Sequence, residues 1–202
     1  MRNEAVMQLL ESCGAIRKGH FVLSSGLHSD TYVQCAQVLQ RPIEAAQLGE
    51  ALAARFHDLT VDVVASPAIG GIVIGQEVAR GIAATRGARP VRAIFAERDA
   101  QGVMTLRRGF EVGPNEQVLV IEDVWTTGGS TFETIQVVED AGARVVAAGA
   151  LIDRSGGRME LPVRTEALLT LRIKNYDAVE CPLCLAGDVP MRPGSRFRQP
   201  AV

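Results

Sequence analysis

Aromatic residues make up only 4% of the 202-residue chain, too few for the stacked platforms that bind single-stranded nucleic acid. Charge of one sign is also missing. Lys and Arg number 21 against 23 Asp and Glu, leaving a net charge of −2, so neither a nucleic-acid coat nor a polybasic membrane contact is expected. Four cysteines are too few for a secreted disulfide scaffold. No apolar stretch approaches bilayer length, and the opening MRNEAVMQLL carries an acid where a signal peptide needs an unbroken apolar run. A soluble cytoplasmic protein is the expectation. G-x-x-x-x-G-K-[ST] is absent, and no G-x-G-x-x-G follows a strand, which removes the Walker and dinucleotide fingerprints.

What is present suits a buried core: hydrophobic residues make up 47% and charged residues 22%, at a length that fits one domain with at most a small subdomain. Val6, Leu9 and Leu10 give helical spacing between Arg2 and Cys13, and Ile43 to Phe56 is an Ala-rich helical stretch. Short β-branched runs then alternate with helices: Val61 to Ala65, Pro90 to Ala96, Val118 to Ile121 and Val145 to Ile152. Continuous apolar runs of this length suit strands covered on both faces, so a parallel α/β sheet is expected. The polar stretch Arg98 to Gly109 breaks the alternation, as either a solvated β-hairpin or a mobile active-site loop. The tail from Pro190 onward, rich in Pro and Arg, is expected to fray.

One segment carries chemistry: Val118-Leu119-Val120-Ile121-Glu122-Asp123-Val124-Trp125-Thr126-Thr127-Gly128-Gly129-Ser130-Thr131. An apolar strand ends in two acids, and a Thr/Gly/Ser loop leads to a helix expected to start near Ser130. Glu133 would complete an S-x-x-E capping box there, and Phe132, Ile135 and Val138 would face the sheet. Such a loop turns N–H groups and hydroxyls toward a phosphate at a helix N-terminus. Two acids beside it would repel a bare phosphate; gripping sugar hydroxyls, with a cation nearby, they make sense. A ribose 5-phosphate unit is the ligand these residues suggest.

This segment resembles the phosphoribosyl-diphosphate motif of the type I phosphoribosyltransferases. Gly19 to Ser29, Ala65 to Gly71, Ile152-Asp153-Arg154 and the late Cys181-Pro182-Leu183-Cys184 are together similar to the orotate branch of that family, over roughly Gly14 to Pro193. The resemblance implies a single domain over 1–202, with a central, mostly parallel sheet flanked by helices. A small hood would come from the first forty or so residues and part of the C-terminal region.

The resemblance further implies transfer of ribose 5-phosphate from phosphoribosyl diphosphate to orotate, in a magnesium-dependent homodimer of pyrimidine nucleotide synthesis. Thr126 to Ser130 would hold the 5′-phosphate, and Glu122 and Asp123 the ribose hydroxyls and the catalytic charge. Val124, Trp125 and Arg98 would add contacts to phosphoribosyl diphosphate, while Thr126 and Arg154 would bind orotate. No separate protein metal site is implied, the magnesium being carried mainly by the substrate diphosphate. The loop Ser66 to Gly71 would bind diphosphate, and Arg98, Arg107 and Arg108 would lie in a loop closing over a neighbouring subunit's site. The hood loop Ser24 to Tyr32 would cover the base, with Tyr32 stacking on it or serving as hood core.

Ser24 and Gly70 stand where many relatives carry lysines, and Arg98, Gln101 and Val103 replace the loop's lysines and histidine, so the loop's catalytic groups do not carry over. Against the Arg154 assignment stands a surface arginine paired with Asp153. Against orotate stand another nucleobase and a non-catalytic sensor of phosphoribosyl diphosphate. Cys181 and Cys184 have zinc-knuckle spacing but form half a site, leaving reduced thiols or a site shared across a dimer, while His20, His28 and His57 show no metal spacing. His28 either approaches substrate or serves as a capping or surface residue.

Overall fold

A computed structural model describes residues 1–85 and 90–193. Two sheets divide them. The first has three antiparallel strands in the order β1-β2-β9, namely β1 (Ile16–Val22), β2 (His28–Val33) and β9 (Asn175–Tyr176). The second has six strands in the order β5-β4-β3-β6-β7-β8: β3 (Val63–Pro67), β4 (Arg92–Arg98), β5 (Met104–Leu106), β6 (Gln117–Trp125), β7 (Arg144–Asp153) and β8 (Thr165–Thr170). Only the edge strand β5 runs antiparallel.

Helices α1 (Asn3–Ser12), α2 (Ala36–Leu39), α3 (Pro42–Ala53), α4 (Gly70–Thr85), α5 (Gly129–Asp140) and α6 (Pro182–Leu185) complete the chain, with a 3₁₀ turn at Ala54–Phe56. The large sheet is covered on both faces. Leu119 and Ile121 of β6 enter one core with Val6, Leu48, Leu52, Ile74 and Val78 from α1, α3 and α4. Their alternates Val118 and Val120 enter a second core with Ile135 and Val138 of α5. Alternate residues thus bury on opposite faces, which is why the strand is apolar throughout.

The connections reverse direction between β3 and β6. From β3 the chain winds outward to β4, whereas β6 lies on the other side of β3 and leads on to β7 and β8. β3 and β6 pair only as far as Ala65–Val120, and beyond that point their ends part. A crevice at the C-terminal ends of the strands, at such a reversal, is where open α/β sheets bind ligands.

Three sequence expectations need correction here. β6 continues through Glu122 and Asp123 to Trp125, because its pairing with β7 runs on through Trp125–Asp153; the acids lie within the last turns of the pleat rather than beyond it. The capping box does not form. The N-cap of α5 is Gly128 in the left-handed conformation at φ 79°, and Glu133 instead pairs with Arg98 at 2.5 Å. Phe132 is 42% exposed, so α5 packs through Thr131, Thr134, Ile135 and Val138. Arg98 to Gly109 includes the β4–β5 hairpin, whose turn is tied by Asp99 Oδ1 accepting from the N–H groups of Gln101 and Val103 at 2.9 Å. The expected fraying from Pro190 falls, from 194 on, outside the described residues.

Candidate active site

β6 delivers Glu122 and Asp123 to the crevice, and both are removed from bulk water to different degrees: Glu122 is buried and Asp123 partly so. Asp123 Oδ1 accepts from Val124 N–H at 2.9 Å, and Glu122 Oε1 from Asp123 N–H at 3.2 Å. Burial, and then the neighbouring Asp123 charge, pushes the Glu122 carboxyl up to about 9. At neutral pH the free protein therefore holds a proton on the pair, giving one carboxyl that donates beside one that accepts.

A stability consequence follows from that shift. The folded chain keeps a proton that the unfolded chain releases near the ordinary carboxylate value, so stability falls as pH rises from about 4.5 toward about 9. Glu122→Gln removes the titrating group. The variant is expected to melt several degrees above the parent near pH 8, at roughly 2–4 °C per kcal/mol, with the margin closing toward pH about 4.5. Parallel thermal melts across that range check it; a margin that stays constant with pH would contradict the buried-proton assignment.

Against this pair lies the start of α4. A side-chain carbon at Gly70 would stand 2.6 Å from Asp123 Oδ1, so only glycine leaves the carboxylate in place. Gly71 and Gly75 bring α4 equally close to the Ile121 carbonyl and the Ser66 hydroxyl, clamping the helix onto β3 and β6. The Ser66–Gly71 segment therefore faces residues 122–123 across the reversal point, although more than fifty positions separate them in sequence.

The loop after β6 is built from below. Trp125 is buried and its indole N–H donates to Thr131 Oγ1 at 3.0 Å, pinning the strand end to the first turn of α5. Its ring is thus scaffold, and only its backbone reaches the loop. Val124 likewise packs against the core. Gly128 has a second requirement besides its positive φ: a side-chain carbon there would meet Met159 Sδ at 2.7 Å. Thr126, Thr127 and Gly129 are exposed and Ser130 half-exposed, so hydroxyls and the N-terminus of α5 are open to a ligand.

Arg154 follows β7. Its N–H donates to the Trp125 carbonyl at 2.8 Å, which joins it to the β6 loop. Asp153 is not its partner, because its two carboxylate oxygens accept from Ser155 and Gly157 N–H groups at 2.7 and 2.9 Å. Arg154 Nε is buried without a hydrogen-bond partner. Burial also lowers this guanidinium from its ordinary value, against smaller opposing effects of Cys35 and Tyr32. Arg154 lines a cleft of about 390 Å³ with Thr126, Thr127, Ser155, Arg158, Met159, Ile173 and Asn175. A half-buried cation with a buried, unpaired donor, at the edge of a polar cleft, is set for an anionic ligand.

The hairpin cations stand apart. Arg98 pairs with Glu133 and donates to the Gly102 carbonyl at 2.7 Å, while Arg107 and Arg108 both pair with Glu97. β4 is separated from β6 by β3, and all three arginines are paired with Glu97 or Glu133 rather than with the acid pair. Tyr32 packs in the small sheet, its ring 5.6 Å from Phe21 and under the Arg17 guanidinium at 5.1 Å.

Sequence reasoning missed Cys35, which lies beneath the site with its thiol 3.8 Å from the Asp123 carbonyl. Burial, then Asp123 and Glu122, pushes that thiol well up, which keeps it protonated and unreactive. It also missed Arg158, Met159, Ile173 and Asn175 of the cleft wall. Arg158 and Met159 arrive by a local turn in which both their N–H groups donate to Ser155 Oγ, whereas Ile173 and Asn175 come by long-range packing. His28 is neither substrate-facing nor capping: it is buried against His20, Cys181 and Cys184. His57 stays local, Nδ1 lying 3.1 Å from the Ala54 carbonyl.

An α/β sheet with an acid pair, a Thr/Gly/Ser loop at a helix N-terminus and an opposed glycine loop defines a ribose-phosphate-handling protein. The family model for the phosphoribosyl transferase domain matches residues 34–169. The orotate phosphoribosyltransferase of Caldanaerobacter subterraneus subsp. tengcongensis is 47% identical over 97% of this chain and 99% of its own length. Among solved structures, the Aeropyrum pernix orotate phosphoribosyltransferase has a TM-score of 0.65 at 25% identity, covering 83% of this chain and 94% of that one. The Mycobacterium tuberculosis H37Rv enzyme, in complex with 5-phospho-alpha-D-ribosyl 1-diphosphate, has a TM-score of 0.64 at 22% identity, covering 84% and 96%. The chain belongs to the phosphoribosyltransferase family and, within it, to the orotate phosphoribosyltransferases.

Proposed function

We propose that the chain joins orotate N1 to C1 of phosphoribosyl diphosphate as the C1–oxygen bond to diphosphate breaks, giving orotidine 5′-phosphate, diphosphate and the proton released from N1. The observation that carries the choice of acceptor is Arg154, whose guanidinium lines the cleft next to Thr126 with a buried, unpartnered Nε. A planar fork matches the orotate carboxylate, which adenine, xanthine and uracil lack.

In this reading Thr126 to Ser130 receive the 5′-phosphate at the N-terminus of α5, and Glu122 and Asp123 hold the ribose hydroxyls. As diphosphate departs, positive charge develops on the ribose ring, and the Asp123 carboxylate stabilises it. Ser66 to Gly71 offer backbone N–H groups to the diphosphate. The acid pair offers adjacent hard oxygen donors at the crevice, the donor type magnesium takes, so these residues fit magnesium. When bound beside Glu122 and Asp123, magnesium would supply positive charge that neutralises the diphosphate leaving group. Arg98, Arg107 and Arg108 serve diphosphate in a partner's site of a homodimer, exchanging Glu133 and Glu97 for phosphate oxygens on closure. The small sheet β1-β2-β9 acts as the hood of a single phosphoribosyltransferase domain.

The place of action is the cytoplasm, consistent with no described helix being long and apolar enough to cross a membrane. The test is absorbance loss of orotate on mixing with phosphoribosyl diphosphate and magnesium, with adenine, xanthine and uracil in parallel. Conversion with orotate alone is expected. Conversion of another base instead would overturn the acceptor. Binding of phosphoribosyl diphosphate without any conversion would make the chain a sensor rather than an enzyme.

A further inference from the structure

Away from the catalytic crevice, the two ends of the chain meet in a cluster that the transfer reaction does not use. His20, His28, Cys181 and Cys184 each present one ligand atom, and the four atoms lie within 4.8 Å of one another. Three of the four residues are buried and Cys184 is half-buried. Cys181 Sγ lies 3.5 Å from His20 Nε2, and Cys184 Sγ lies 3.6 Å from the same atom and 3.3 Å from His28 Nδ1. A tetrahedron with metal–nitrogen bonds of about 2.0–2.1 Å and metal–sulfur bonds of about 2.3 Å has nitrogen–sulfur edges of about 3.5 Å. The nitrogen–nitrogen edge would be about 3.3 Å, so the two rings, now 2.8 Å apart in a hydrogen bond, need to part by about half an ångström.

The surroundings prepare the ligands. β1 has a register irregularity between Lys18 and Phe21, so that His20 and Phe21 both turn inward. His20 Nδ1 lies 3.0 Å from the Asp188 carbonyl; donating its proton there leaves Nε2 as the lone-pair atom aimed into the cluster. The Cys-Pro-Leu-Cys turn folds back on itself, Leu185 N–H donating to the Cys181 carbonyl at 3.1 Å and Asp188 N–H to the Leu183 carbonyl at 3.0 Å. Both thiols thereby face the same side.

We propose that these four residues form a structural Cys2His2 site for a divalent soft metal ion, zinc by its donor set, which fastens the C-terminal segment across the β1-β2-β9 sheet. That segment enters at β9, on the β2 side, and ends at Met191, which exchanges hydrogen bonds with β1 through His20 and Val22. Between these ends it has little apolar anchorage. Val179, Leu185 and Val189 are 77–85% exposed, and Cys181 is its fully buried side chain. A strap this thinly cored gains its fixed position from a metal, as small metal-held modules do. Binding replaces the two thiol protons by zinc, and those protons pass to solvent.

The inference is independent of the proposed transfer reaction, and its readout is metal rather than turnover. The untagged chain is incubated with excess zinc, desalted and analysed by native mass spectrometry and elemental analysis. About one zinc per chain is expected, with the mass rising by zinc less two protons. Cys181→Ser/Cys184→Ser should retain roughly tenfold less or lower still, and Cys13→Ser should bind as the parent does. Cobalt offers a check on the parent chain that needs no variant to fold: thiolate-to-cobalt charge transfer with tetrahedral visible bands. A parent chain that emerges metal-free, a double variant that binds equally, or octahedral cobalt without a thiolate band would each overturn the assignment.

Discussion

Arg154→Ala is expected to lower kcat/KM for orotate by on the order of 100-fold or more, with the melting temperature unchanged or slightly raised. The magnitude is that of removing one member of a desolvated, charge-assisted pair, about 2–5 kcal/mol. The unchanged stability has a separate source. Arg154 Nε is buried with no partner, so in the ligand-free chain that donor carries a desolvation cost with no bond to offset it. A residue kept for packing would show the opposite pattern, a lower melting point with modest kinetic change. Arg154→Lys should recover charge but not the planar fork, and hence only part of the loss. Steady-state kinetics with orotate varied, beside thermal melts, decide it. Unchanged kcat/KM for orotate in the alanine variant would remove Arg154 from the base site and reopen the choice of nucleobase.

Asp123→Asn should cut kcat by on the order of 100- to 1000-fold, the range seen when one electrostatic group aimed at a transition state is removed. The substitution is nearly isosteric. Asn keeps an oxygen to accept from Val124 N–H, and it still fits against Gly70, so the crevice need not move. What disappears is the fixed negative charge beside the ribose carbon. The same change relieves Glu122, whose carboxyl is raised partly by the Asp123 charge, so Glu122 should ionise at lower pH in the variant. The loss should therefore be in turnover and its pH profile, with near-parental circular dichroism and melting. A variant retaining full activity would show that the acid pair binds without stabilising the transition state.

The hairpin arginines suit the exchange proposed for them. Its arginines are satisfied by Glu97 and Glu133 in the ligand-free chain, which holds the hairpin in place by exposed ion pairs worth little each. Pairs of that strength are readily exchanged for a diphosphate, whose oxygens carry more charge than a carboxylate.

Much was legible in the sequence because it depends on neighbours along the chain. The apolar run Val118 to Ile121, followed by two acids and a glycine loop, specifies a buried strand and a phosphate loop wherever the segment ends up. Strand–helix alternation likewise specifies a parallel sheet, since its crossovers have one hand. The capping box misled because α5 begins at Gly129 with Gly128 as its N-cap, which leaves Ser130 inside the helix, and because Arg98, from a strand two places away, takes Glu133. What only the tertiary structure decided was which distant segments meet. The reversal of winding between β3 and β6 sets Gly70 against Asp123, where a side chain would displace the carboxylate. Burial, not residue type, raises Glu122 and leaves Arg154 Nε unpaired. His20 and His28 lie about 160 positions from Cys181 and Cys184, and no spacing rule spans that distance. Local pattern is written in covalent order, whereas desolvation and ligand geometry exist only after the chain has packed.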